Sequence, residues 1–141
     1  MRVERLTIHP DGGARETVRT LTLDPVRGVI GDRKSARDGL VGLASAGAER
    51  TARELGGLCA ARFAANVSTD GLDYALLCAG TCLAIGDCEA EIVRVGKGCF
   101  DECPLVRAQT RCPLPKNCAF ARVTKGGVVV AGDELRLCGE P

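Results

Sequence analysis

The chain has 141 residues, of which 45% are hydrophobic and 26% charged, with a formal net charge of +1. Those totals describe one globular domain, large enough to bury a core without disulfides or metal, and they exclude a disordered chain. The low net charge, the 3% aromatic content and the missing tryptophan argue against a basic, base-stacking interface, so no nucleic-acid partner is expected.

Met1-Arg2-Val3-Glu4-Arg5 leads straight into polar–apolar alternation. A first strand is expected over 3–9 and a second over 17–23, around the turn Pro10-Asp11-Gly12-Gly13. No leader is legible and no apolar run approaches ~18 residues, so a cytoplasmic protein with no membrane partner is expected. Val26-Arg27-Gly28-Val29-Ile30-Gly31-Asp32 reads as a tight, shaped loop, and the polar stretch 33–38 as exposed. A buried strand is expected over 40–44 and a helix over 45–55. Ser45 can cap that helix, Glu49 lies in its first turn, and Gly56-Gly57 ends it. Ala48, Ala52 and Leu55 share one face.

Further strands are expected over 63–69, 81–85, 89–97, 120–124, 128–130 and 134–137, with a short helical turn over 73–77. Asp70-Gly71, Gly86-Asp87, Gly126-Gly127 and Gly132-Asp133 punctuate them. Many short strands with glycine-rich turns predict a β-barrel or sandwich over 1–141, with one clear helix and one or two short helical turns.

Nine cysteines, at 59, 78, 82, 88, 99, 103, 112, 118 and 138, are an odd number. In a reducing compartment disulfides are disfavoured. Cys59, Cys78, Cys82 and Cys138 sit in apolar sequence and are expected as small core residues. Cys99 lies in Gly96-Lys97-Gly98-Cys99-Phe100-Asp101-Glu102-Cys103-Pro104. A neighbouring cation and glycine-rich backbone favour a thiolate there, while Asp101 and Glu102 oppose it. Cys99, Cys103, Cys112 and Cys118 could instead ligate a structural metal, although their gaps match zinc spacing poorly. His9, the only histidine, reads as structural, which disfavours a Cys–His or Ser–His hydrolase. No glycine pattern forms a dinucleotide or Walker loop.

Taken in order, these segments resemble the MOSC domain, the C-terminal domain of molybdenum cofactor sulfurases, in its short, stand-alone bacterial type. Gly28-Val29-Ile30-Gly31-Asp32 resembles its early Gly-x-x-Gly-Asp signature. The segment 63–73 resembles its Asn-containing strand and turn, with Asn66 on the family position. The segment 80–87 resembles the next element, and Gly96-Lys97-Gly98-Cys99 falls on the family cysteine. Ala121-Arg122-Val123, Gly126-Gly127 and Val130-Ala131-Gly132-Asp133-Glu134 resemble the closing strands. Cys103 and Cys112-Pro113-Leu114-Pro115 resemble the second cysteine and later Cys-Pro segment of the short type. Arg33-Lys34 stands where the family often has histidine, and Phe100 where it often has histidine after the cysteine.

The resemblance implies a single compact MOSC-type β-barrel with a role in molybdenum cofactor (molybdopterin) binding or sulfur carriage. Cys99 would carry a persulfide or ligate molybdenum, with Cys103 and Cys112 as possible relays. Asp32, Arg33, Asn66, Lys97 and Arg122 would bind the cofactor, Lys34 and Arg37 being further candidates for its phosphate. A cysteine desulfurase would donate sulfur, and a molybdoenzyme or cofactor-biosynthesis protein would accept it. Pyridoxal phosphate binding belongs to the partner domain of full-length sulfurases, so none is expected in this chain. Whether the chain is a sulfur transferase stays open. The alternatives are a non-catalytic cofactor chaperone and a small β protein with a structural cysteine metal site.

Overall fold

The computed structural model describes residues 1–58, 63, 65–99, 103–109 and 111–138. The alternation at the N-terminus forms β1 (Arg2–Ile8), followed by β2 (Glu16–Val18), β3 (Thr20–Asp24) and the short β4 (Gly28–Val29). After α1 (Ser35–Asp38) come β5 (Leu40–Ser45), α2 (Ala46–Glu54) and β6 (Val67–Asp70). A 3-10 turn at Tyr74–Leu76 leads to β7 (Cys82–Ile85) and β8 (Cys88–Val95). Then α3 (Pro104–Arg107) and a 3-10 turn at Leu114–Lys116 precede β9 (Cys118–Lys125), β10 (Gly127–Val130) and β11 (Leu135–Leu137). Among the described residues no helix is long and apolar enough to cross a membrane.

The large sheet runs β11-β7-β8-β9-β5-β6-β1-β2, and a small one runs β10-β3-β4. Within the large sheet β5 and β6 pair in parallel, so the chain must cross over between them. The large sheet curls until β1 meets the stretch before β11. The Val3 amide donates to Asp133 O at 2.8 Å, the Leu135 amide donates to Met1 O at 3.0 Å, and Arg2 bridges Glu134. Leu6, Leu43, Leu83, Ile85, Ile92 and Leu135 fill the barrel and are almost wholly buried. A second, alanine-rich cluster of Ala44, Ala48, Ala52, Ala65, Leu114 and Cys118 packs beneath α2.

The helix has the anticipated cap, Ser45 Oγ accepting from the Ala48 amide at 3.2 Å. Ala48 and Ala52 are buried, but Leu55 is 41% exposed because it ends the helix and turns away from that face. Glu49 is buried without being apolar, since Arg5 and Ser68 both donate to its Oε1, at 3.0 and 2.5 Å.

Three strand expectations change. The strand expected over 17–23 breaks at Arg19, because β2 pairs with β1 while β3 carries Leu21 and Leu23 into the other sheet. The strand expected over 63–69 begins only at Val67, the side chain of Asn66 being committed to hydrogen bonds with other segments. The strand expected over 89–97 ends at Val95, before Gly96 at φ 86°.

The cysteine expectations change more. Cys78 is exposed, and Cys82 and Cys138 form a disulfide with Cα atoms 5.2 Å apart. Leu83 and Leu137 face each other toward the core, so Cys82 and Cys138, one step along each strand, lie on the outer face. Cys88, Cys103 and Cys118 are buried instead. The core role expected of Cys59, and the Phe100, Asp101 and Glu102 neighbours of Cys99, fall outside the described residues.

The disulfide spans 56 residues and holds the edge strand β11 to β7. Reduction, or the double variant Cys82→Ser/Cys138→Ser, should cost about 2–4 kcal/mol. Denaturant unfolding of the variant against oxidised wild type checks this.

Candidate functional site

Gly28 opens β4, and Gly31 lies in the loop that leads from β4 to α1. Gly28 adopts φ 75°, and a Cβ there would stand 2.8 Å from Gly39 O. Only glycine fits such a close approach at positive φ. The loop thereby delivers Asp32 into the interior, where it is 2% exposed. Its Oδ1 accepts from the His9 amide at 2.7 Å, from His9 Nδ1 at 2.8 Å and from Asn66 Nδ2 at 3.1 Å. Its Oδ2 accepts from the Ser35 amide at 3.0 Å. Burial works to raise the Asp32 carboxyl, but the Ser35 and His9 amides and the His9 ring outweigh it, leaving the pKa below the usual 3.8.

Asn66 extends the network. Its Oδ1 accepts from the Gly42 amide at 3.0 Å and its Nδ2 donates to Thr7 O at 3.2 Å. Asp32 and Asn66, both expected at the site, are thus brought together, as buried organisers of β1, β5, β6 and the glycine loop. His9 is structural, as its position before Pro10 suggests. With Nδ1–H turned to the carboxylate, its Nε2 is left buried without a hydrogen-bond partner among the described residues.

Cations gather above this base. Lys34 Nζ stands 5.8 Å and Lys97 Nζ 5.3 Å from the centroid of Phe63. Phe63 meets Phe120 edge-on at 6.2 Å, and the Arg94 guanidinium covers Phe120 at 4.2 Å. Burial lowers the Lys34 pKa; Asp32 opposes this, and Arg33, Arg15 and Arg37 add to the lowering. Lys34 is therefore an ammonium group among other cations that an incoming anion would stabilise. Beside it, the loop from Gly31 to Gly39 borders an open cleft of about 680 Å³ that Arg27, Arg33 and Arg37 also line.

The Cys99 loop is anchored from below. The Gly96 amide donates to Cys118 O at 2.7 Å and the Lys97 amide donates to Pro115 O at 3.1 Å. Cys99 itself is exposed. Lys97 turns its ammonium to Gly98 O at 3.2 Å as well as to Phe63. Cys103 is 5% exposed. The Leu58 amide, against the effect of burial and with help from the Leu105 and Val106 amides and Lys97, holds the Cys103 thiol below its ordinary range. Cys112 packs against the alanine cluster beneath α2. Arg122 lies exposed on β9, opposite Leu40 and Glu91 and two residues along from Phe120.

Cys99, Cys103, Cys112 and Cys118 do not converge as a ligand set. The grouping of potential ligand atoms among the described residues is Cys82, Glu89 and Cys138. Phe63, Phe120 and Arg94 join the site only in three dimensions. The signal for the first two was their rarity, since the chain has only three phenylalanines.

No family model matches the sequence, and no curated protein matches it. Solved structures do. A crystal structure of a hypothetical protein superposes with a TM-score of 0.64 at 22% identity, covering 98% of this chain and 68% of the other. YiiM from Escherichia coli gives 0.63 at 20% identity, covering 100% and 71%. YiiM from Geobacillus stearothermophilus gives 0.63 at 14% identity, covering 96% and 74%. At these identities the likeness is one of fold: the chain has a YiiM-like fold, the MOSC-type barrel that the sequence resemblance implies.

Asp32→Ala should orphan four buried donor groups and cost about 3 kcal/mol or more. Because the folded pKa of Asp32 is depressed, its stabilisation is full above the unfolded value of 3.8 and is lost as pH falls through the folded value. Melts at falling pH should therefore show wild type losing stability more steeply below about pH 4 than Asp32→Asn does.

Proposed function

We propose that this protein binds the molybdenum cofactor, molybdopterin, and carries sulfur for its maturation or delivery. The observation that carries this reading is the convergence of Lys34 and Lys97 on Phe63, with Lys97 two residues from the exposed Cys99. An apolar ring edge, paired ammonium groups and a soft thiol suit a ligand with a flat heterocycle, a phosphate and a soft-ligand centre. When bound, molybdopterin would supply a metal centre that exchanges sulfur and oxygen ligands.

Lys97, Lys34 and Arg33 would hold the phosphate by charge-assisted hydrogen bonds, with Arg37 and Arg122 as outlying cations. Asp32 and Asn66 would hold the walls in place without contacting the ligand, since their polar atoms are already engaged. Cys99 would ligate molybdenum or take up sulfur. In the latter role its thiolate attacks the terminal sulfur of a donor persulfide. The donor S–S bond breaks, the donor cysteine leaves as thiolate, and the sulfur remains on Cys99. Cys103 and Cys112 are candidates to relay it. The donor would be a separate cysteine desulfurase, the acceptor a molybdoenzyme or cofactor-biosynthesis protein, and the reducing cytoplasm the compartment that keeps Cys99 a thiol.

A second reading, a non-catalytic carrier, draws on His9. The sole histidine is buried against Asp32 and supplies no exposed imidazole base.

Intact-mass analysis after incubation with a cysteine desulfurase and cysteine should show one added sulfur, mapped to Cys99. Labelling of Cys99 no faster than that of buried Cys88 would remove sulfur carriage. Wild type should retain molybdopterin on gel filtration and Cys99→Ser should not; equal retention excludes Cys99 as its ligand. Lys34→Ala/Lys97→Ala should weaken retention by about tenfold or more if two charge-assisted contacts are lost.

A further inference from the structure

The outer face of β11-β7-β8 carries a second cluster with chemistry of its own. Cys138 lies beside Cys82 across the β11–β7 ladder, its amide donating to Cys82 O at 3.0 Å. Glu89 on β8 stands opposite Ala84, two residues from Cys82 on the same face. The two sulfurs and one Glu89 carboxylate oxygen all lie within 4.8 Å of one another, each residue half-buried. The Glu89 carboxylate has no hydrogen bond or ion pair among the described residues, although Arg136 faces Ala84 from the neighbouring strand.

We propose that the Cys82–Cys138 pair is a redox-gated metal site. Reduced, Cys82, Cys138 and Glu89 bind one borderline-soft divalent cation, zinc foremost; oxidised, the disulfide closes the site. Two thiolates and a carboxylate form a zinc-type donor set, and half-burial leaves room for a water as fourth ligand. The pairing of β11, β7 and β8 keeps the three backbones adjacent, so after the S–S bond breaks only the side chains need to move apart to flank a metal. A dithiol or phosphine must open the site. With a dithiol, two electrons and two protons pass to Cys82 and Cys138 as their S–S bond breaks, and the dithiol leaves as its own disulfide. The two thiol protons then go to solvent as the sulfur–metal bonds form. The role of this site does not depend on that of Cys99, which shares no ligand atom with it.

Cobalt(II) is the probe, with the full chain reduced by a phosphine and then freed of it. Reduced wild type should bind one equivalent with a thiolate-to-cobalt charge-transfer band, and oxidised wild type should show none at that stoichiometry. Cys82→Ser/Cys138→Ser should lose the band. Glu89→Gln keeps both cysteines and the fold, and should bind about tenfold more weakly or worse. Zinc should raise the melting temperature of reduced wild type and raise that of Glu89→Gln less. A band that is absent from reduced wild type, survives in the double serine variant, or is as tight in Glu89→Gln overturns the proposal.

Discussion

The carboxylate of Asp32 is the point on which the site depends. One buried anion accepts hydrogen bonds from the backbone of β1's end, from the first turn of α1, from the sole histidine and from Asn66. A buried charge survives only when its lone pairs are used, and here four donors use them. Asn66 passes the constraint on, tying Thr7 of β1 to Gly42 of β5. Three segments far apart in sequence are thereby fixed against one another by polar contacts in addition to the apolar packing of Leu6, Leu43 and Val67. The glycine loop can be as sharp as it is because its far end is clamped.

Above that clamp the charges are arranged quite differently. Lys34 and Lys97 come from loops on opposite sides of the chain and meet over one phenylalanine. Burial and the nearby Arg33, Arg15 and Arg37 disfavour the Lys34 ammonium, which an anion placed there would stabilise. The Asp32 carboxylate is saturated by its own four donors, and Asp32 and Arg33 both border the open cleft beside α1.

The cysteines fall into distinct groups. Cys88 and Cys118 behave as small apolar residues, and burial with Asp87 and Asp133 nearby raises the Cys88 thiol. Cys103 sits among backbone amides that favour its thiolate, Cys99 is exposed, and Cys82 and Cys138 lie across two strands. Their environments, not their number, assign them to different chemistry.

Most strands, the Ser45-capped helix and the glycine turns were legible in the sequence, because alternation, capping and positive φ are local demands; the breaks at Arg19 and before Val67 were not, because strand pairing sets them. The sequence also marked Gly28, Asp32, Asn66 and Cys99 through an ordered resemblance. It could not show that Asp32 and Asn66 share one buried hydrogen-bond network, since that follows from which distant groups reach them. Nor could it show that Cys82 and Cys138 face outward together, since one step along a strand reverses a side chain and only the pairing of β7 with β11 sets that step. The gathering of Lys34, Lys97, Phe63 and Phe120 was likewise decided by tertiary structure. Their positions span 34 to 120, and proximity across such a distance is fixed by barrel closure, not by local pattern.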